Sequence, residues 1–467
     1  MSSDFSPPLD AAIRHALAHL ATLDTAPVGA RADAKALRER LYRPVPEQGM
    51  PAVTVIDELA ADVAGGLHLT NSGRFYPWVI GGALPAALAA DWLTSAWDQN
   101  AHSFATSPAS AMVEEIAGEW LKALFGLPGQ ASFALVTGCQ MAHATCLAAA
   151  RHGVLARQGW DVEAEGLYGA PPIRIISSTH AHGSIDRALR MLGLGMKHWT
   201  RIPVDANGQL PPAALSAALE SQRGTPAVVV LQAGDVNTGA FDDFQALIPI
   251  AREHGAWVHV DGAFGLWVTT SRGLRHHMNG AAAADSWATD GHKWLNVPFD
   301  SGFAFVNQPE AHSGALGLRV SYISYAAEAR DESDWNPEWS RRARGFATYA
   351  ALRELGREGV GAMIDRCCAH ARAIVRGIGA LPGVEVLCQP QINQGLVRFP
   401  SAKPAATNAD HDRHNDEVIA KINAGGEAFF SGTTWKGRRA MRISVCNWRT
   451  SEQDVARTIA AVAAALH

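Results

Sequence analysis

Two side chains near predicted strand ends are of types that do covalent and electrostatic chemistry. Lys293 stands in DSWATDGHKWLN, with His292 before it and an apolar Trp-Leu pair behind it. A lysine that loses solvent shifts towards its neutral amine, which forms Schiff bases with carbonyl groups. Asp261 closes the apolar run WVHVD, where partial burial makes its carboxylate require a cationic or hydrogen-bond-donating partner. Taken singly, a solvated surface lysine and an aspartate in a helix cap or loop ion pair are the ordinary alternatives.

Two further features suit an aromatic phosphate ligand. The turn Thr137-Gly138-Cys139-Gln140 lies between strand-like ASFALV and the helical segment MAHATCLAAAR. Free backbone N–H groups and the positive dipole end of a helix bind phosphate there, although an ordinary strand-to-helix turn is the alternative. His182 follows the strand-like IRIIS, and its imidazole can stack on a ring, relay protons or serve a structural role. A phosphate-binding turn, a stacking imidazole, a buried carboxylate and a nucleophilic amine are together the groups that a protein needs to hold pyridoxal phosphate.

The elements around these residues alternate between strand and helix. Short apolar runs predict buried strands at 173–177, 227–231, 257–261 and 303–306. Helical segments lie between the first three runs, which predicts an α/β fold with a mostly parallel sheet covered on both faces. In such a sheet ligands bind at the carboxyl ends of strands, where Asp261 and His182 are expected.

The chain divides by pattern into three parts. The first 75 residues contain helical segments separated by prolines, and a polar, irregular stretch at 329–339 predicts a domain boundary. After it come a long helical stretch, short strands and a final helix. We therefore predict an N-terminal helical segment at 1–75, a large domain at 76–328 and a small α+β domain at 329–467.

Composition excludes several classes of protein. The 467 residues are 48% hydrophobic and 18% charged, an ordinary globular balance. The 40 basic and 45 acidic residues give a net charge of -5 without a basic block, which argues against nucleic-acid and anionic-membrane partners. No apolar run would span a bilayer, the N-terminus lacks a secretory pattern, and the six cysteines form no CxxC pair. We expect a cytoplasmic protein with reduced thiols and no metal site.

The motifs resemble those of the group II pyridoxal-phosphate-dependent amino acid decarboxylases, the relatives of aromatic amino acid, tyrosine and glutamate decarboxylases. HVDGAF is similar to the family's HVDAA motif, DSWATDGHKWLN to its lysine motif and HAHGSIDRAL to its H.S..KA pattern. The similarity continues through NSGRFYPWVIGG, SPASAMVEEIAGEWL, NTGAFDD, PEWSRRARGF and RISVCNWRTSEQDV, from about residue 70 to the end. It implies fold type I, the aspartate aminotransferase-like architecture, with the active site at a homodimer interface.

The resemblance also implies roles for individual residues. Lys293 would form the Schiff base, Asp261 would pair with the ring nitrogen, and His182 would stack on the ring; these three are the implied catalytic residues. The implied cofactor contacts are Lys293, Asp261, Ala263, His182, Gly138, Cys139, Gln140 and His292. The implied reaction is loss of CO₂ from an L-amino acid to give the amine.

Substrate contacts are less specific. Phe75 and Trp78, in RFYPW, would line the substrate pocket, with core packing as an equal alternative. Arg442 would bind a substrate carboxylate, with a structural ion pair as the alternative. The aromatic residues favour an apolar or aromatic substrate side chain over glutamate.

One segment departs from the family pattern. Many aromatic-acid members carry a loop tyrosine shortly before their W…P…RR segment, and it protonates the carbanion. Residues 326–335, AAEARDESDW, have no tyrosine, and Tyr322 and Tyr325 lie upstream. A Cα–Cβ lyase and a decarboxylation-dependent oxidative deaminase therefore stand as alternatives. A non-catalytic homologue would have no physical need for the site residues, and a dehydrogenase would need a GxGxxG turn after an early strand, which we do not find.

Overall fold

Strands and helices alternate through the middle of the chain. The computed structural model describes residues 4–318 and 329–467. In these residues the strands are β1 (Ser132–Val136), β2 (Arg174–Ser178), β3 (Trp199–Ile202), β4 (Ala227–Gln232), β5 (Trp257–Asp261), β6 (Ser286–Asp290), β7 (Gly302–Val306), β8 (Glu385–Cys388), β9 (Gln394–Arg398), β10 (Ser431–Trp435) and β11 (Arg438–Ser444). The helices are α1 (Ser6–Ala21), α2 (Ala34–Leu41), α3 (Ala52–Asp62), α4 (Pro85–Trp97), α5 (Pro108–Phe125), α6 (Cys139–Ala156), α7 (Val162–Glu165), α8 (Gly183–Met191), α9 (Pro212–Glu220), α10 (Phe244–Glu253), α11 (Pro309–Leu316), α12 (Gly345–Gly379), α13 (Asn408–Gly425) and α14 (Glu452–Leu466).

Two compact units are formed by these elements. The large unit contains residues 81–369 and 389–395, and the small unit contains residues 1–80, 370–388 and 396–467. The N-terminal helices thus belong to the same unit as the C-terminal helices. The domain limits expected from the sequence, at 1–75, 76–328 and 329–467, remain predictions.

The large unit is built on the predicted, mostly parallel sheet. Its strand order is β1-β7-β6-β5-β4-β2-β3, with β7 antiparallel to both of its neighbours and the other pairs parallel. The residues of β4, β5, β6 and β7 are all buried, as expected for strands covered on both faces. The four strands read from apolar runs are confirmed, whereas β6 lies within the lysine motif and was not predicted as a strand.

Helix α6 packs against the sheet through small side chains. Ala142, Ala149 and Ala150 are fully buried in a core that also contains Val228 and Trp257. Alanine lets a helix approach a sheet closely and forms helix readily. The helix begins directly after the turn that follows β1, at the edge of the sheet where β5 and β6 end.

The small unit has its own sheet and helices. Its strands lie in the order β10-β11-β9-β8, with the pairs β10–β11 and β8–β9 antiparallel. Helices α13 and α14 each begin with a capping box, formed by Thr407 with Asp410 and by Ser451 with Asp454. This unit has the predicted small α+β character. In the part of the chain that the structure describes, every helix is too short or too polar to cross a bilayer.

Candidate active site

Lys293 stands in a single π-helical turn, Gly291–Leu295, that follows β6. Its Nζ lies 2.9 Å from Oδ2 of Asp290, the last residue of β6. Burial lowers the pKa of Lys293, but the carboxylates of Asp290 and Asp261 raise it by a larger amount, so the net shift of the pKa is upward. The amine therefore stays an ammonium in these contacts, and the partly neutral lysine expected from its apolar flank is not what the structure shows.

Two glycines hold the lysine turn from the other side. The Gly81 N–H donates to the His292 carbonyl (3.2 Å), and the Gly82 N–H donates to Asn296 Oδ1 (2.6 Å). A Cβ on Gly81 would lie 1.9 Å from the Lys293 carbonyl oxygen, so only glycine permits this approach. Gly81, the first glycine of the pair that ends NSGRFYPWVIGG, thus has a structural reason that the sequence pattern did not reveal.

Asp261 is buried at the carboxyl end of β5. Its Oδ1 accepts a hydrogen bond from the Ala263 N–H (3.2 Å) and lies 3.5 Å from His143 Nε2. Burial raises the pKa of this carboxyl, but His143, His182 and Lys293 lower it by more, and the net shift is downward. Asp261 is therefore an ionised, buried carboxylate on which three nitrogen-bearing side chains act electrostatically.

The predicted phosphate turn opens helix α6. Gly138 is the residue before the helix and Cys139 its first residue. The Cys139 N–H donates to Oδ1 of Asp290, and the Gln140 side chain donates to Met191 Sδ (3.2 Å). A Cβ on Gly138 would lie 3.0 Å from the His292 ring, so a side chain at this position would require the ring to shift. Phosphate contacts at this turn remain a prediction.

The two predicted histidines differ in their surroundings. His182 caps α8, and its Nδ1 accepts the Ser184 N–H (3.2 Å) while its side chain stays exposed. His292 Nδ1 accepts the Ser301 N–H (3.2 Å), and its Nε2 lies 3.5 Å from Asp290 Oδ1. Burial lowers the pKa of His292, so the ring is neutral and its remaining proton points towards Asp290.

Three polar residues of this site were missed from the sequence. Asp290 stands three residues before Lys293 and contacts both the lysine and the phosphate turn. His259 stands two residues before Asp261 and therefore on the same face of β5. His143 lies one helical turn after Cys139. These spacings are visible in the sequence, but no local pattern indicates that β6, β5 and α6, which carry the three residues, meet at one site.

Three buried side chains bring metal-binding atom types together. The Cys139 thiol, a His143 nitrogen and an Asp261 oxygen lie within 4.8 Å of one another. Burial raises the pKa of Cys139 well above its usual value, which keeps the thiol protonated. The Cys139 sulfur also lies 3.3 Å from His143 Nε2, so the cluster is part of the hydrogen-bonded network of the site.

The donor set fits pyridoxal phosphate. An ionised carboxylate can hold the ring N–H, a primary amine can hold the aldehyde carbon, and a helix N-terminus can hold the phosphate. Asp261, Lys293 and the first turn of α6 are the groups of these types. Their roles remain predictions. Tyr322 and Tyr325 lie outside the described residues.

The predicted substrate residues belong to the small unit. Phe75 is buried and stacks on Phe429 (ring centroids 5.7 Å apart), and Trp78 is half exposed beside the same ring. Arg442 is buried on β11. Substrate contacts by these residues remain predictions.

Comparisons with known proteins agree with this chemistry. Aromatic-L-amino-acid decarboxylase of Bacillus atrophaeus is 26% identical over 445 residues, covering 94% of this chain and 90% of that protein. 4-Hydroxyphenylacetaldehyde synthase of Rhodiola rosea is 25% identical and covers 93% of this chain and 89% of its own length. The crystal structure of Oryza sativa TDC with PLP and tryptamine has the same fold, with a TM-score of 0.92 at 24% identity over 100% of this chain and 98% of that one.

A family model gives the assignment. The model described as the pyridoxal-dependent decarboxylase conserved domain matches residues 35–401, which is most of the chain. The matched range contains every predicted cofactor contact. The protein is therefore a member of the pyridoxal-dependent decarboxylase family, with fold type I architecture and pyridoxal 5'-phosphate as its cofactor.

Proposed function

We propose that this protein removes CO₂ from an L-amino acid with an apolar or aromatic side chain and releases the corresponding amine. The observation that supports this most directly is the charge pattern around Asp261. A buried carboxylate held ionised by His143, His182 and Lys293 is the environment that a protonated pyridine ring nitrogen requires.

When bound, the cofactor supplies an electron sink for the bond that breaks at Cα. Asp261 would accept a hydrogen bond from the ring N–H, and Lys293 would hold the cofactor covalently. The exposed imidazole of His182 would lie against the ring, with Ala263 on the other side. His292 and the first-turn amides of α6 would bind the phosphate.

The small unit supports an aromatic or apolar substrate. His68, Phe75, Trp78 and Phe429 form an aromatic cluster, with Trp78 6.2 Å from Phe429 and about half exposed. A half-exposed indole at the edge of a buried cluster offers an apolar face for a ligand. We keep Arg442 as the candidate for a substrate carboxylate.

We also propose a homodimer. On α1, Leu9, Ile13 and Leu17 are exposed at intervals of four residues, and in the large unit Trp92 and Trp97 of α4 are exposed as well. Apolar surfaces of this kind are typical of sites covered by a partner chain. Light scattering from the purified protein would contradict the dimer if it gave the mass of one chain, 49.7 kDa.

A cytoplasmic location is supported by the cysteines. The six cysteines, all among the described residues, are outside disulfide bonds, and five of them are buried. Free thiols are the usual state in a reducing compartment. Fractionation of the native host would contradict this location if the protein were recovered outside the cytoplasm.

The second candidate reaction is decarboxylation with oxidative deamination to an aldehyde. Its support is the likeness to a 4-hydroxyphenylacetaldehyde synthase together with the tyrosine-free stretch at 326–335. A Cα–Cβ lyase on the same scaffold has no comparable support.

One experiment separates these reactions. The cofactor-loaded protein is incubated with a panel of L-amino acids under air and under nitrogen, and products are identified by mass spectrometry. We expect substrate minus CO₂ in both atmospheres and no product with Lys293→Ala. An aldehyde with ammonia that forms only under air would assign the second candidate, and absence of any product across the panel would contradict the proposal.

A further inference from the structure

A row of buried polar side chains leads away from Asp261 into the core. Trp257 Nε1–H donates to Ser286 Oγ (2.9 Å), Ser286 Oγ lies 2.9 Å from His259 Nδ1, and His259 Nε2 lies 2.9 Å from His143 Nδ1. His143 Nε2 then lies 3.5 Å from Asp261 Oδ1. All five side chains are buried, and we call this row the buried relay.

The relay follows from strand geometry. Trp257, His259 and Asp261 alternate along β5 and therefore share one face. His259 pairs in register with Ser286 on β6, which places the hydroxyl beside the imidazole. His143 comes from α6, one helical turn after its first residue, and this helix packs against β5.

Both imidazoles are neutral. Burial lowers the pKa of His259 to about 3 and also lowers the pKa of His143. Each ring therefore carries one N–H and one acceptor nitrogen, so a hydrogen bond made by one nitrogen determines the role of the other.

The two ends of the relay determine its direction. The Trp257 indole can only donate, and the ionised Asp261 carboxylate can only accept. With every proton pointing from Trp257 towards Asp261, Trp257, Ser286 and His259 each donate once to the next member. His143 then turns its Nε2–H to the side of the carboxylate, 3.5 Å away. In the opposite direction a lone pair of His143 Nε2 would face the carboxylate at 3.5 Å, which is repulsive.

We infer that His143 is a positioning residue that directs its Nε2–H at Asp261, and that the buried relay determines this tautomer. His143 Nε2 also lies 3.3 Å from Cys139 Sγ, so this nitrogen faces both the thiol and the carboxylate. The neutral Nε2–H dipole thus adds to the charge of Lys293 in keeping Asp261 ionised. This inference rests on the proposed role of Asp261 in holding the cofactor.

The test compares two amide replacements of one histidine. His143→Gln keeps a donor near the position of Nε2, whereas His143→Asn keeps one only near Nδ1. Cofactor dissociation constants are measured by absorbance titration of the full-length protein after cofactor removal. We expect His143→Asn to weaken binding about tenfold or more and His143→Gln to remain within about threefold of the parent, because a hydrogen bond to a charged group contributes about that much.

Matched controls identify a merely structural effect. His152→Gln changes a histidine on the same helix that pairs instead with Glu163 (2.6 Å), and it should leave cofactor affinity unchanged. Thermal unfolding of each variant reports folding. If His143→Asn does not fold, Ser286→Ala, which removes the donor to His259, should weaken cofactor binding in the same direction.

Three outcomes would overturn the inference. The first is equal cofactor affinity of His143→Asn, His143→Gln and the parent. The second is unchanged affinity in Ser286→Ala where His143→Asn does not fold. The third is a thiolate-to-cobalt absorption band, abolished by Cys139→Ser, when Co²⁺ is added to the cofactor-free protein, because a metal there needs the Nε2 lone pair.

Failure of the proposed function gives a different result. If Asp261→Ala binds the cofactor as tightly as the parent, the assigned cofactor site is wrong. If Asp261→Ala loses affinity while the His143 variants do not, only the relay inference fails.

Discussion

Asp261 and Glu332 are both buried carboxyl groups of the large unit, yet their surroundings shift their pKa values in opposite directions. Asp261 has His143, His182 and Lys293 around it, and its pKa falls despite burial. Glu332 has no hydrogen-bond partner for either carboxylate oxygen among the described residues, and burial together with the nearby Glu114 raises its pKa to about 7. Burial alone therefore does not determine the charge of a carboxyl group here.

The difference lies in how the neighbouring cations are used. Near Glu332 the guanidinium of Arg341 is bound by Glu114 (2.8 Å), and Arg330 also lies 3.7 Å from Glu114. Glu114 thus pairs with both guanidinium groups that could otherwise neutralise Glu332. Near Asp261 the second carboxylate, Asp290, binds Lys293 and the Cys139 N–H, and His143 lies 3.5 Å from Asp261. A buried acid stays ionised where hydrogen-bond donors or cations contact it directly and are not already bound by another carboxylate.

The largest expected effect is at Asp261. Asp261→Asn keeps the shape of the side chain but removes its charge, so we expect decarboxylation, measured as kcat/KM, to fall at least a hundredfold, about 3 kcal/mol of transition-state stabilisation. Glu332→Gln is the matched control, since it also removes a buried carboxylate and should stay within about twofold of the parent at neutral pH. Equal losses in the two variants would mean that the charge of Asp261 has no special role.

An intermediate effect is expected at Asp290. Asp290→Asn removes a charge that raises the pKa of Lys293 while retaining an acceptor for the Cys139 N–H. The neutral amine should then be available at lower pH. We expect the pH profile of the rate of cofactor capture, followed by absorbance in the cofactor-free protein, to move down by about one unit, or about tenfold in rate at neutral pH.

A conservative control accompanies that measurement. Asp285→Asn removes a partly buried carboxylate, one that accepts the Val258 N–H (2.8 Å) and takes no part in the lysine contacts. Its capture profile should coincide with that of the parent. An unshifted profile for Asp290→Asn would show that Asp290 does not control the charge of Lys293.

The smallest expected effect is on stability at Glu332. Its pKa in the folded protein, about 7, is above the usual glutamate value of 4.5, so the folded state binds more protons than the unfolded state between these values. Stability contributed by the protonated acid is complete below about pH 4.5 and is lost as pH rises towards 7. Glu332→Gln should therefore raise the free energy of unfolding at pH 8 by about 1 to 3 kcal/mol relative to the parent.

Urea denaturation at pH 5 and pH 8 would measure this. The gain from Glu332→Gln should be large at pH 8 and small at pH 5. A gain that is equal at the two pH values, or a loss at pH 8, would show that the pKa of Glu332 is not raised in the folded protein and would remove the contrast with Asp261.

Much of the architecture could be predicted from local patterns. The runs at 227–231 and 257–261 became β4 and β5 because residues buried on both sheet faces must be apolar without interruption. Strand β6 was missed because SWATD mixes polar and apolar residues, and its burial depends on partners supplied by β5 and β7. The long helical stretch after residue 340 was found as α12, but its break at Gly356, with φ of 61°, was not.

The sequence by itself determined the chemical types at this site: a lysine, an aspartate, a histidine and a small-residue turn, each at the end of an element. These residue types and their positions at the ends of elements can be read from local spacing in the amino-acid sequence. Only the tertiary structure decided their charge states. Asp290, His143 and His259 come from β6, α6 and β5, and no local pattern indicates that they converge on Lys293 and Asp261. Because the pKa of a buried group depends on the distance to its donors, only the folded packing could show that Lys293 stays charged.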